Sequence, residues 1–280
     1  MAITCDDPEI RFQLEGARNK FLIEGAQADI IIQAVWGDLS EEPCGEKLFD
    51  SGSTWQLYYK DGAYLFRFTS LVFGSLPYKI AFFNPEFSSG EILLHRPFFK
   101  TGQSVDPLAY PLDELLTINL LARGRGTEVH ACGIVDSLGR GHLFVGQSGA
   151  GKSTIARLWE SEPGITVLSD DRIILRKMEN TIWMYGTPWH GEAGLASSAK
   201  APLIGVYFLE HWKENELIPY KLTESLGRLF ACSFPPFYSR EGIDFTLGFL
   251  EEVVKATPCH ELRFLPDKSV IEFIQEERFT

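Results

Sequence analysis

The chain has 280 residues, 45% of them hydrophobic and 23% charged, and a formal net charge of −12. These are ordinary globular proportions, enough for one or two buried cores. The acidic balance argues against nucleic acid or an anionic membrane surface as main partner. The apolar runs, such as those at 30–32 and 206–209, are far shorter than the roughly 20 residues that span a bilayer.

The opening, MAITCDDPEI, carries neither the basic nor the apolar region of a secretory leader. Cysteines stand at 5, 44, 132, 232 and 259 without metal-ligand spacing, which fits reduced thiols and a cytoplasmic location. The first hundred residues read as β-rich. Aromatic runs at 55–59 and 63–68 flank Lys60-Asp61-Gly62, and Asp-Gly between such runs is a hairpin signal. Further strands are expected at 21–23, 30–35, 78–83 and 92–94. Residues 98–107 read as a connection. A helix then starts at Pro111, keeps Leu112, Leu115, Leu116 and Leu120 at helical spacing, and ends in Arg123-Gly124-Arg125-Gly126. The expected boundary lies near 107. It divides a β-rich N-terminal domain, 1–107, suited to substrate recognition, from a catalytic domain, 108–280.

The second part alternates strands and helices. Strands are expected at 129–135 and 142–145 across a turn at 136–141, then a helix at 152–160 and a strand at 166–168. The runs at 173–175 and 181–185 form a hairpin about Glu179-Asn180. A buried strand at 204–209, helices near 223–232 and 242–255, a strand near 260–264 and a helix from Asp267 complete the chain.

Between the strand at 142–145 and the following helix lies VGQSGAGKST. Gly146, Gly151, Lys152 and Ser153 fit G-x-x-x-x-G-K-[ST]. A chance match in a chain this long is expected about once in a hundred, and strand and helix flank it as the motif requires. The glycines let backbone amides curl round phosphates, Lys152 supplies charge to the β/γ oxygens, and the Ser153 hydroxyl suits Mg²⁺. Ser148, Gly149 and Thr154 complete the nucleotide-binding set. A transporter-type ATPase also needs an LSGGQ-like signature and an apolar strand ending in Asp-Glu; the sequence has neither.

Asp170-Asp171 follows Lys152 by the length of one helix, one turn and one strand. That spacing predicts the pair at the end of a strand next to the loop's own strand, facing the γ-phosphate. One carboxylate can hold Mg²⁺ and the other accept a proton from an attacking hydroxyl. We read Asp170 as the base and Asp171 as the metal ligand beside Ser153, with the reverse assignment open. His130 lies on the preceding strand, joined through a turn short enough for an antiparallel pair.

His130-Ala131-Cys132-Gly133-Ile134-Val135-Asp136, the loop at 146–153, and Leu168-Ser169-Asp170-Asp171-Arg172 together resemble the core of HPr kinase/phosphorylase. The resemblance implies a mixed α/β, antiparallel-rich core of the phosphoenolpyruvate carboxykinase-like P-loop group. It also implies that His130 and the two aspartates face the transferred phosphate. The first hundred residues and the downstream substrate signature depart from that family, so the chain looks more like a related kinase found beside peptide-modification enzymes than like the sugar-regulation enzyme.

The expectation is therefore a Mg²⁺-dependent kinase using ATP or GTP. Its acceptor is a Ser/Thr hydroxyl of a peptide or protein, its catalytic residues are Asp170, His130 and Lys152, and homo-oligomers are compatible with the chain. The alternatives are a nucleotide-binding regulator and a kinase of small-molecule hydroxyls. In the segment 186–192, His190 and Glu192 are candidates for metal or substrate contact. Arg172 and Lys200 are candidates for phosphate contact, and Arg157 reads as a solvated helix residue. The Pro235-Pro236-Phe237-Tyr238 loop is a candidate peptide-docking element.

Overall fold

Residues 1–7, 10–14, 16–25, 27–41, 45–99 and 104–276 are described by a computed structural model. The chain forms two compact units. One comprises Met1–Glu15 and Ile23–Leu116, and the other Gly16–Leu22 and Thr117–Thr280.

The first unit is a seven-stranded mixed sheet. Its strands are β1 (Ala2–Thr4), β2 (Ile31–Gly37), β3 (Glu46–Asp50), β4 (Trp55–Lys60), β5 (Ala63–Ser70), β6 (Gly74–Phe83) and β7 (Ser89–His95). They lie in the order β1-β2-β7-β6-β5-β4-β3. Asp61 and Gly62 take φ of 49° and 81°, with Lys60 paired to Ala63 across them. Two successive positive φ values give the tight turn whose twist suits a hairpin. Leu57, Phe66, Phe68 and Phe83 are fully buried on these strands, and Phe87 of the β6–β7 turn is buried with them.

The expected strand at 21–23 does not form. The stretch Gly16–Phe21 is a 3-10 helix of the second unit, where Lys20 Nζ donates to the Ala196 carbonyl at 2.9 Å. Three apolar residues give no period to distinguish strand from turn. Strands β1 and β3 had no sequence signal: β1 has three residues, and β3 is a mostly exposed EKLFD segment. Residues 100–103 of the expected connection, and Cys44, lie outside the described residues.

Next come α1 (Leu112–Leu121), β8 (Thr127–Val135), β9 (Gly141–Val145), α2 (Lys152–Glu160), β10 (Thr166–Ser169), β11 (Arg172–Met178) and β12 (Thr181–Tyr185). They are followed by β13 (Lys200–His211), β14 (Glu216–Pro219), α3 (Leu222–Ala231), α4 (Arg240–Ala256), β15 (Cys259–Phe264) and α5 (Ser269–Glu276). The sheet is mixed: β8 is antiparallel to β9, β10 and β11, whereas β13 is parallel to β9 and β15. Among the described residues no helix is long and apolar enough to cross a membrane.

One expectation about this sheet is corrected. The strand that carries the aspartates is not the neighbour of β9, because β8 lies between them. The short turn makes β8 and β9 a hairpin, which takes the place beside the loop strand first. The chain leaving α2 therefore pairs on the far side of β8. There β10 and β11 follow one another along β8, with Ser169 opposite Gly133 and Arg172 opposite His130. Asp170-Asp171 is the interruption between them rather than the end of a strand.

Side-chain alternation then sorts the strands onto two cores. Val129, Ala131, Leu143 and Val145 pack with Leu229, Leu250 and Val253 of α3 and α4. Cys132, Ile134 and Phe144 pack with Ile155, Ala156 and Trp159 of α2 and with α5.

Asp136 fixes the β8–β9 turn. Its Oδ1 accepts from the Leu138 and Arg140 amides, both at 2.9 Å. Its Oδ2 faces Arg140 Nε at 2.7 Å and buried His142 Nε2 at 3.2 Å. Burial raises the carboxyl, but the His142 bond and the Arg140 bonds outweigh it and hold the group well below the usual carboxylate range. A depressed pKa adds stability above the unfolded value, near 4, and loses it as pH falls toward the folded value. Asp136→Asn should thus cost about 1–3 kcal/mol in urea unfolding at pH 7, and the gap to wild type should narrow below about pH 4.

Candidate active site

Strand β9 delivers the chain into a tight loop. A Cβ on Gly146 would stand 2.5 Å from Ala150 Cβ. Gly151 has φ of 101°, and a Cβ there would meet Phe264 Cζ at 2.7 Å, so the position requires glycine twice over. Helix α2 starts from Gly151 with no side-chain cap, which leaves its first amides for a ligand. Ser148 and Gly149 are exposed and Thr154 half-buried.

Lys152 is buried, and its Nζ donates back to the Gly146 and Gln147 carbonyls at 2.7 and 3.0 Å. Burial pulls its ammonium below the ordinary lysine value against the opposing charge of Asp171. Beside the loop is a cavity of about 290 Å³, lined by Gly146, Gln147, Glu210, Arg228 and Cys232 among others. An uncapped helix start, a left-handed Gly151 and a lysine held only by exchangeable carbonyl bonds fit a phosphate group.

The two aspartates have different surroundings. Asp170 is 1% exposed. Its Oδ2 accepts from Ser153 Oγ at 3.1 Å and the Ala193 amide at 2.8 Å, and its Oδ1 from the Gly191 amide at 2.9 Å. Asp171 is a quarter exposed, with Oδ1 3.0 Å from His130 Nε2 and Oδ2 2.6 Å from Arg172. Burial raises the Asp171 carboxyl. The His130 hydrogen bond and the charges of Arg172 and Lys152 outweigh that and keep it below the usual carboxylate range.

The structure therefore brings together Ser153 with Asp170 and His130 with Asp171, and sets Lys152 at the start of α2 with its ammonium folded back on the loop. Glu192 and His190 have exposed side chains. Their segment contributes backbone instead: Gly191 and Ala193 hold Asp170, and the Trp189 carbonyl accepts from Ser169 Oγ at 2.7 Å. A Cβ on Gly191 would lie 2.8 Å from Asp170 Oδ2, so the missing side chain permits the approach. Arg172 turns to Asp171 and Glu128. Lys200 Nζ stands 4.9 Å over the Trp183 ring, and Arg157 donates to the Glu192 carbonyl at 3.1 Å. Among the described residues no group of three or more His, Cys, Asp and Glu is placed to hold a metal.

Sequence reasoning missed Gly191, Ala193, Glu128 and Phe234. The glycines of 186–191 hinted at close backbone approach. Glu128 carried only its two-residue offset from His130, which puts both on one face of β8.

No family model and no curated protein matches the chain. Among solved structures, the Hpr(Ser) kinase/phosphatase from Coxiella burnetii is similar at 14% identity and a TM-score of 0.31, over 53% of this chain and 93% of that one. The likeness is weak and establishes neither a shared activity nor a shared site.

Asp170→Ala would leave three donors without their acceptor at a buried position. It should cost about 2–4 kcal/mol in chemical denaturation. By hydrogen exchange, the Gly191 and Ala193 amides should lose protection in the variant and keep it in wild type.

Proposed function

We propose that this protein is a Mg²⁺-dependent kinase that moves the γ-phosphate of ATP or GTP onto a Ser or Thr hydroxyl of a peptide or protein. The observation that carries the reading is the division of two adjacent carboxyls, Asp170 beside Ser153 and Asp171 beside His130. A phosphoryl transfer needs one acid group near the metal and another free to take a proton.

The division supports the reverse of the assignment read from the sequence. Asp170 and Ser153 would hold Mg²⁺, and the loop amides, Lys152 and the start of α2 would hold the phosphates. The bound Mg²⁺–nucleotide would supply the phosphoryl group and neutralise charge on it. Lys152 gives up its two carbonyl partners for phosphate oxygens. Asp171 accepts the proton of the acceptor hydroxyl, as a carboxylate that is ionised at neutral pH can. His130 orients that carboxyl through Nε2. The weak likeness to an Hpr(Ser) kinase/phosphatase agrees with a protein acceptor but carries no weight in this reading. Cys5, Cys132, Cys232 and Cys259 are free thiols, which agrees with action in the cytoplasm.

Incubation of purified protein with Mg²⁺, [γ-³²P]ATP or GTP and cell lysate should label a discrete polypeptide. Lys152→Ala and Asp171→Asn should each lower transfer by at least about two orders of magnitude. Asp171→Asn should keep nucleotide affinity, whereas Asp170→Asn should raise the Mg²⁺ requirement. Tight nucleotide binding with no transfer to protein or to small hydroxyl acceptors would sink the kinase reading and leave a nucleotide-binding regulator.

A further inference from the structure

Behind Asp171 lie Glu128, Arg172 and Phe234, which the proposed reaction does not use. Glu128 sits two residues from His130 on β8 and so shares its face. Across the ladder, Arg172 of β11 is opposite His130. The Arg172 guanidinium reaches two carboxyls at once: Nε lies 3.4 Å from Glu128 Oε1, and Nη1 lies 2.6 Å from Asp171 Oδ2. Its Cζ stands 4.3 Å over the Phe234 ring. The Phe234 amide in turn donates to the Glu128 carbonyl at 3.0 Å, and the His130 amide donates to the Cys232 carbonyl at 2.7 Å. The segment at 232–234, bridged to β8 through Ser233 and Val129, therefore fixes the ring against the same stretch of β8.

Glu128 is wholly buried. Taking a carboxylate out of water is costly even when an arginine pairs with it, and an apolar pair of similar volume is often as stable. Stability alone gives little reason for such a group here. Its position gives another. A planar guanidinium ion-paired on one side with a buried carboxylate at 3.4 Å, and covered on one face by an aromatic ring, has restricted rotational freedom. It then presents one fixed donor to Asp171 Oδ2, while His130 presents another to Oδ1. Both carboxyl oxygens are held, and the plane of the group is set.

We propose that Arg172, anchored by Glu128 and Phe234, is a positioning residue that sets the plane of the Asp171 carboxyl against His130 for phosphoryl transfer. The role in transfer rests on the kinase reading above; the positioning itself does not. Arg172 acts through Asp171 and has no part in holding nucleotide. Lysine at 172 would keep the positive charge but lose the fork that spans the two carboxyls.

The test combines a spectroscopic and a kinetic readout on the full chain. In ¹⁵N-histidine-labelled protein, the His130 Nε2–H bonded to Asp171 should give a low-field imidazole signal, assigned by its absence in His130→Gln. Arg172→Gln should shift or remove that signal, with the melting temperature followed in parallel. Lys177→Gln, which breaks only an exposed pair with Glu252, should leave it in place. Kinetically, Arg172→Gln should lower kcat about tenfold or more with little change in the KM for nucleotide. Arg172→Lys should recover part of the loss. An unmoved signal with unchanged kcat in folded Arg172→Gln overturns the proposal. So does an equal loss in Arg172→Gln and Arg172→Lys that tracks melting temperature. Wild-type protein that transfers no phosphate while its His130 signal still depends on Arg172 refutes the kinase reading and upholds the positioning.

Discussion

A carboxyl group buried to 1% exposure needs donors, and the second unit is arranged around supplying them to Asp170. Its three partners come from two separate stretches of chain: the first turn of α2, and the Gly191 and Ala193 amides after β12. None of the three is fixed alone. The hydroxyl is positioned by the glycine loop that starts α2, and the amides by a segment whose Gly191 lets the backbone approach the carboxyl. One buried acceptor thus ties the helix after the glycine loop to the β10–β11 strand line and to the loop that follows β12.

The same arrangement separates two chemically identical neighbours. Asp170 and Asp171 occupy the break between β10 and β11, where successive side chains leave on different sides. Asp170 turns inward to the Gly191 and Ala193 amides. Asp171 emerges beside His130, partly exposed and flanked by Arg172. The hairpin β8–β9 makes this possible, because its register puts Ala131 opposite Val145 and so sets His130 level with the start of the glycine loop. A parallel sheet with the aspartate strand directly beside β9 would leave no strand between them to carry the histidine.

Much of this was legible in the sequence. The pattern around Gly146, Gly151 and Lys152 located the loop, and the helix expected after it at 152–160 matches α2 to its end residues. The Asp-Gly pair located the β4–β5 hairpin. What failed depended on pairing partners rather than on local pattern. Strand order around β8 could not be read from spacing, because the length after α2 suits a neighbour on either side. The separate fates of Asp170 and Asp171 depended on amides of Gly191 and Ala193, which carry no side-chain signature. Arg172 and Glu128 became partners only through the register of β8 against β11.

The central claim is that phosphate is seated on the glycine loop with its metal on the Ser153–Asp170 side and its transfer path on the Asp171–His130 side. A crystal structure with Mn²⁺ and a non-hydrolysable ATP analogue tests it most directly, with the metal placed by anomalous scattering. The account predicts metal bound by Ser153 Oγ on the Asp170 side, Lys152 Nζ moved from the Gly146 and Gln147 carbonyls to the phosphates, and Asp171 facing the terminal phosphate. Triphosphate bound away from residues 146–154, or metal held by Asp171 with Lys152 still on its carbonyls, would contradict it.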